Sequence, residues 1–174
     1  MRPFDAESTK TQLTTFLSRS FIKADFSDAI IGISGGVDSA TATALSVLAL
    51  GTDHVFPVLL PCGTLSKKAS EHATLLLDSL GVPEQNRNVI DIQNIVDAIA
   101  LKDPSVDVLR RGNIMARVRM TILFYQAKKI KALVVGTENK TEHVLGYFTR
   151  YGDEASDVEP IRHLYKTQVY ELAK

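Results

Sequence analysis

The residues Ser34-Gly35-Gly36-Val37-Asp38-Ser39 sit between a β-branched apolar run, Ala29 to Ile33, and a stretch with helical apolar spacing, Val37 to Leu50. A strand that turns through two glycines into a helix leaves backbone N–H groups converging on one spot. The positive end of the helix dipole adds to it. The glycines let a ligand approach the backbone closely, and Ser34 and Ser39 add hydroxyl donors. Such a spot suits phosphate. Asp38 in its middle repels phosphate unless a divalent cation sits between the two. The competing reading is a plain strand-to-helix turn with Ser34 as the helix N-cap, and the whole string in this context favours phosphate. The lysine of the G-x-x-x-x-G-K-[ST] loop is absent, so the motif is a different one.

Other residues offer chemistry further along. Between Val108 and Thr137 there is no acidic residue, while Arg110, Arg111, Arg117, Arg119, Lys128, Lys129 and Lys131 are basic. The three lysines suit a helix C-terminus. Arg117 and Arg119 lie among apolar residues two positions apart and cannot share a helix face, so one can meet a ligand while the other ties the helix down. Pairing with a carboxylate competes for each. Beyond Gly136-Thr137 runs a charged, hydroxyl-rich segment of a length that in compact domains is functional or mobile. Glu142 in it could join Asp38 on a metal, though spacing alone fits a solvated surface glutamate equally. Gly146 to Asp153 reads as a lid or nucleotide-contact loop, or as an ordered loop over buried aromatics. His54, His72, His143 and His163 show no ligand spacing and read as structural or surface residues.

The elements that must position these groups alternate. An amphipathic helix carries Leu13, Phe16, Leu17 and Phe21 on its inner face. Val55 to Leu60 reads as a second strand, and Lys67 to Leu80 as a helix with Ala69, Ala73, Leu76, Leu77 and Leu80 inward, stopped at Gly81. Asn88 to Ile92 reads as a third strand, followed by a short helix with Ile92, Ile95, Val96 and Ile99 inward. A long helix spans about Pro104 to Lys129, Ala132 to Val135 forms a fourth strand, and another helix starts near Lys166. Repeated βα units predict an α/β fold, a doubly wound, mainly parallel sheet with helices on both faces. Ligands in such sheets lie beyond the carboxyl ends of the strands, where both Ser34-Gly35-Gly36 and Gly136-Thr137 fall.

Composition narrows the classes. At 174 residues one domain, 1–174, is expected, and a formal net charge of zero argues against a general nucleic-acid binder. The lone cysteine, Cys62, excludes a disulfide framework and reads as a loop residue. No secretory signal and no run of membrane-span length is visible, so a cytoplasmic setting is expected.

The Ser34–Ser39 string resembles the signature of the ATP pyrophosphatase (PP-loop) superfamily. With two further segments, Gly112 to Met120 and Gly136 through Gln168, the chain resembles the ammonia-dependent NAD synthetases. That resemblance implies a ligase that adenylylates the nicotinate carboxylate of deamido-NAD with ATP, releases pyrophosphate, and amidates the acid with ammonia to give NAD and AMP. By similarity, Gly32, Ile33, Ser34, Gly35, Gly36, Val37, Asp38, Ser39, Thr137 and Lys166 bind ATP and pyrophosphate. Asp38 and Glu142 hold Mg²⁺, and Arg117, Arg150 and Asp157 hold deamido-NAD. Asp38, Arg117 and Asp157 are the implied catalytic residues. The resemblance also implies a homodimer; Leu123, Phe124 and Tyr125 are candidates for its contact or for core packing. Members of the family continue well beyond Lys174, so the domain reads as C-terminally incomplete, a fragment or a shortened form, expected to bind nucleotide but to turn over poorly or not at all. Other PP-loop amidating or thiolating enzymes, and a non-catalytic nucleotide-binding module, are the alternatives.

Overall fold

The computed structural model describes residues 4–63 and 67–174, the latter span without side chains at positions 67 and 69. Helix α1, Ala6–Ala24, starts at Asp5, whose carboxylate accepts the amide of Ser8. Strand β1 is Asp28–Ile33 and leads into α2, Val37–Leu50. Then follow β2, Val55–Leu59, and α3, Lys67–Ser79. The next pair is β3, Asn88–Val89, and α4, Gln93–Ala100. Helix α5, Val108–Ile130, is capped by Asp107 and precedes β4, Ala132–Val135. Short helices α6, Lys140–Leu145, and α7, Lys166–Leu172, complete the order.

The four strands are parallel in the order β3-β2-β1-β4. Apolar residues fill both sides of β1, as buried parallel strands require. Ala29 and Ile31 pack with Leu13, Leu17 and Phe21 of α1, Ala42 and Leu45 of α2, and Val169 of α7. Ile30 faces the other way, toward Val96 of α4 and Val118 and Ala127 of α5. Ile33 joins Leu59 with Ala73 and Leu77 of α3. The doubly wound α/β architecture expected from the sequence is therefore observed. From β1 the chain winds outward to β2 and β3, then returns to lay β4 against the other side of β1, so the topological switch point lies between β1 and β4.

Several expectations are corrected. Phe16 is 46% exposed, because the inward line of α1 repeats every four residues through Leu13, Leu17 and Phe21 and leaves Phe16 to one side. In α4 the same step through Ile92, Val96 and Ala100 faces inward, while Ile95 and Ile99 are exposed. The third strand keeps regular pairing only at Asn88 and Val89, although the amides of Ile90 and Ile92 still donate to the carbonyls of Leu59 and Pro61 at 2.9 Å each. Helix α5 begins at Val108 rather than near Pro104, since Asp107 accepts the amide of Arg110 and sets the start there. The side chain of Ala69, expected to face inward, is among those not described. Cys62 is in a loop but buried, its thiol donating to Gln93 Oε1 at 3.3 Å. Among the described residues, no helix is long and apolar enough to cross a membrane.

Candidate nucleotide site at the switch point

The Ser34–Ser39 turn is shaped by its own side chains. Gly35 has φ 78°, a left-handed conformation that glycine adopts without strain. The Ser39 hydroxyl donates to the Gly36 carbonyl at 3.0 Å and lies 3.1 Å from Ser34 Oγ, which accepts the Gly36 amide at 3.3 Å. Ser34 is thus not the helix cap. The cap of α2 is Gly36, which has no side chain to offer, whereas α1, α5 and α6 are capped by Asp5, Asp107 and Asn139. The first amides of a 14-residue helix therefore stay open to an external acceptor at its positive end.

These residues open onto a cavity of about 380 Å³. Gly32, Ile33, Ser34, Asp38 and Ser39 line one side of it, and Gly136, Thr137 and Glu142 another. The two strand ends named by the sequence thus meet in one place. Arg119 also lines this cavity, its guanidinium donating to the Leu60 carbonyl at 3.1 Å and its basicity lowered by burial. Arg117 is exposed, donates to the Arg150 carbonyl at 3.2 Å, and is not among the lining residues. Of the two arginines it is Arg119 that reaches the cavity, though the resemblance had drawn attention to Arg117. Arg150 is exposed and stacks over Tyr151 at 4.9 Å. Asp157 accepts the amide of Val134 at 2.8 Å, which ties the segment before α7 to β4. Leu123 lines the cavity, Phe124 packs in the α5 core, and Tyr125 is exposed.

Three side chains converge on Asp38. The Asn139 amide donates to Oδ1 at 3.1 Å, and the Lys166 ammonium is paired with Oδ2. Glu142 accepts the Asn139 amide N–H in a capping box and sits close enough that Asp38 raises its pKa, though burial is the larger cause and the Asn139 amide opposes both. Asp38 and Glu142 form a two-carboxylate oxygen set; Asn139 orients both. Such a set suits magnesium with phosphate oxygens and water completing the shell. Among the described residues no group of three or more His, Cys, Asp or Glu side chains is placed to hold a metal by itself. Asn139 has two tasks here, and substitutions separate them. Asn139→Ala is expected to cost about 1 kcal/mol of stability through the lost cap. Asn139→Asp keeps the cap oxygen but sets a third carboxylate against Asp38, so thermal melts should show only partial recovery.

The segment from Gly146 to Asp153 closes over the same cavity. The Thr149 amide donates to Asp153 Oδ1 at 2.6 Å, and its hydroxyl donates to Asn113 Oδ1 of α5 at 2.9 Å. Tyr147, Phe148, Gly152 and Asp153 are lining residues; Phe148 stacks on His143 with ring centroids 6.1 Å apart. The loop's tyrosines 147 and 151 are exposed rather than buried beneath it.

Sequence reasoning passed over Glu138 and Arg162. Glu138 is 5% exposed and neither of its oxygens receives a hydrogen bond among the described residues. Arg162 Nη1 lies 3.2 Å from Oε2 of Glu138 but bonds Glu159 at 2.9 Å, while Nη2 faces His143 Nδ1 at 3.0 Å. Burial, set against the attraction of Arg162, pushes the Glu138 carboxyl above its ordinary pKa. No periodic signal marks them in the sequence: β4 ends at Val135, and Glu138 lies three residues beyond it. Gly136 is pressed by the same cluster, since a Cβ there would fall 2.7 Å from Ser156 Oγ and 2.8 Å from Glu159. Both neighbours are held by hydrogen bonds, so Gly136→Ala should lower stability by about 1–2 kcal/mol in chemical denaturation.

With this geometry in place, the likeness to known proteins is specific. A family model described as NAD synthase matches residues 9–174. The chain belongs to the NAD synthase family. Its relatives include the NH(3)-dependent NAD(+) synthetases of Chlorobaculum tepidum, 40% identical over 98% of this chain and 61% of the relative, and of Methanosarcina acetivorans, 42% identical over 98% and 67%. The NH3-dependent NAD synthetase structure from Campylobacter jejuni superposes with a TM-score of 0.91 at 34% identity, covering 97% of this chain and 72% of that one. The NMN synthetase of Francisella tularensis has a TM-score of 0.90 at 32% identity, covering 98% and 70%. This member of the NAD synthase family thus spans about three-fifths to two-thirds of the length of the first two relatives.

Proposed function

We propose that residues 1–174 form one domain of an ammonia-dependent NAD synthetase. Its reaction is the adenylylation of the nicotinate carboxylate of deamido-NAD by ATP, with release of pyrophosphate, then displacement of AMP by ammonia to give NAD. The observation that carries this reading is the uncapped start of α2 opening, at the switch point, onto a cavity shared with Gly136-Thr137. A carboxylate is a poor electrophile at neutral pH, and bringing it to the α-phosphate sets two anions together. The α2 amides and the hydroxyls of Ser34 and Ser39 meet the β- and γ-phosphates and take up the charge of the leaving pyrophosphate. Thr137 and Lys166 contact ATP from the β4 side, and Arg117, Arg150 and Asp157 hold the dinucleotide. Mg²⁺ held by Asp38 and Glu142 would neutralise the phosphate charge beside them. A homodimer and a cytoplasmic setting complete the proposal.

The likeness to the Francisella tularensis NMN synthetase favours a second reading, in which the acid is the mononucleotide. Pyrophosphate release with ATP, Mg²⁺ and ammonia, measured with deamido-NAD and with nicotinic acid mononucleotide, separates the two. Release that depends on deamido-NAD supports the first; release only with the mononucleotide supports the second. ATP hydrolysis indifferent to both acids, or no binding of ATP by the chain, contradicts the proposal.

A further inference from the structure

Both oxygens of Asp38 are occupied by groups of this chain: Oδ1 by the neutral amide of Asn139 and Oδ2 by the ammonium of Lys166. The Lys166–Asp38 contact spans the sheet's switch point, joining the first turn of α2 to the first residue of α7. The Lys166 backbone is fixed, since its amide donates to Thr141 Oγ1 at 3.0 Å. Its head is not enclosed: the side chain is about a third exposed, and from its place beside Asp38 Nζ also lies 5.7 Å from the Tyr170 ring. A divalent cation and an ammonium on one carboxylate oxygen would be like charges within a few ångströms, so one must leave.

Resting on the metal reading given above, we propose that Lys166 is the internal counter-ion of Asp38 in the nucleotide-free chain. The divalent cation displaces it, and the freed ammonium passes to the phosphates that arrive with the metal. The pair thereby offsets one of the two carboxylate charges before substrate binds, and couples metal entry to nucleotide entry. Metal alone meets a competing cation, whereas metal with triphosphate gives that cation a new anionic partner.

The test is Mn²⁺ binding to the nucleotide-free chain, read from the electron spin resonance signal of free Mn²⁺, for the unaltered protein, Lys166→Met and Asp38→Asn. The expected result is Mn²⁺ bound about fivefold or more tightly by Lys166→Met, the scale of losing one part-exposed ion-pair competitor. In the same variant pyrophosphate should bind about tenfold more weakly. Equal or weaker Mn²⁺ binding in Lys166→Met overturns the counter-ion role and leaves the metal site standing. Binding unchanged by Asp38→Asn, or absent from all three, removes the metal reading and this inference with it. Should Lys166→Met fail to fold, the ¹⁵Nζ resonance of Lys166 in the unaltered chain serves instead. Mg²⁺ at saturation is expected to shift it, and an unmoved resonance contradicts the displacement.

Discussion

Asp38→Ala is expected to lower pyrophosphate release by about 10²–10³-fold, the scale of removing one preorganised electrostatic contact from a transition state. The reason lies in what meets at this carboxylate. It stands in the first turn of α2, beside the open amides, and is held by Asn139 and Lys166 from the β4 side. Taking it away removes the link between a cation and the phosphate nest, at the moment when charge moves onto the leaving pyrophosphate. The fold should survive. Asp38 is not part of the apolar core, its side chain is 16% exposed, and an acidic group near a helix N-terminus contributes about 0.3–1 kcal/mol. Unchanged far-ultraviolet circular dichroism with near-normal pyrophosphate release would contradict the role given to this residue; loss of release with an intact spectrum is the expected result.

Arg162→Ala should cost about 2–3 kcal/mol of stability at neutral pH. Removing one partner of an enclosed ion pair costs about 3–5 kcal/mol, and the figure falls here because Arg162 is itself about a third exposed. Arg162 is the cation among Glu138, Glu159 and His143, so its loss leaves two carboxylates under the segment that carries Asn139 and Glu142. The pH dependence follows from Glu138. Burial raises its folded pKa above the unfolded value, so the folded state binds more protons in the window between them. Its ionisation therefore opposes folding: the penalty is absent below the ordinary carboxylate pKa and grows as pH rises through the folded value. In Arg162→Ala that penalty loses its main offset, and the stability gap to the unaltered chain should widen from acidic to alkaline pH in urea titrations. Adding Glu138→Gln should narrow the gap at alkaline pH and change little in acid. A gap independent of pH would show that packing, not the carboxylate, sets the cost.

The sheet was legible because its strands are short apolar runs ended by turn residues. Asp28–Ile33 and Ala132–Val135 stand within one residue of where the sequence placed them, and α2 begins and ends at Val37 and Leu50 as read. The switch point could be anticipated because the alternation of strands and helices implies a parallel sheet. Side-chain direction was less legible. Apolar spacing marks a helix face to within a turn but does not say which line of it meets the sheet, so Phe16, Ile95 and Ile99 were assigned inward and lie outward. The arginine pair met the same difficulty. Arg117 and Arg119 sit in equivalent apolar surroundings along the chain, and only the placement of α5 against the Leu60 carbonyl decides which one reaches the cavity. Glu138 and Arg162 were hidden for another reason: their meeting depends on a fold-back of twenty-odd residues with no periodic pattern to reveal it. The convergence of Asn139 and Lys166 on Asp38 is of this kind too, since the three lie on α2, at the start of α6 and on α7.

One measurement bears most directly on phosphate recognition by the α2 N-terminus: a crystal structure of the chain with ATP and Mn²⁺, the metal located by its anomalous signal. The account predicts the triphosphate seated on the amides of residues 34–39, with the metal between its oxygens and Asp38. A triphosphate bound elsewhere, or seated there with Asp38 turned from any metal, would contradict it.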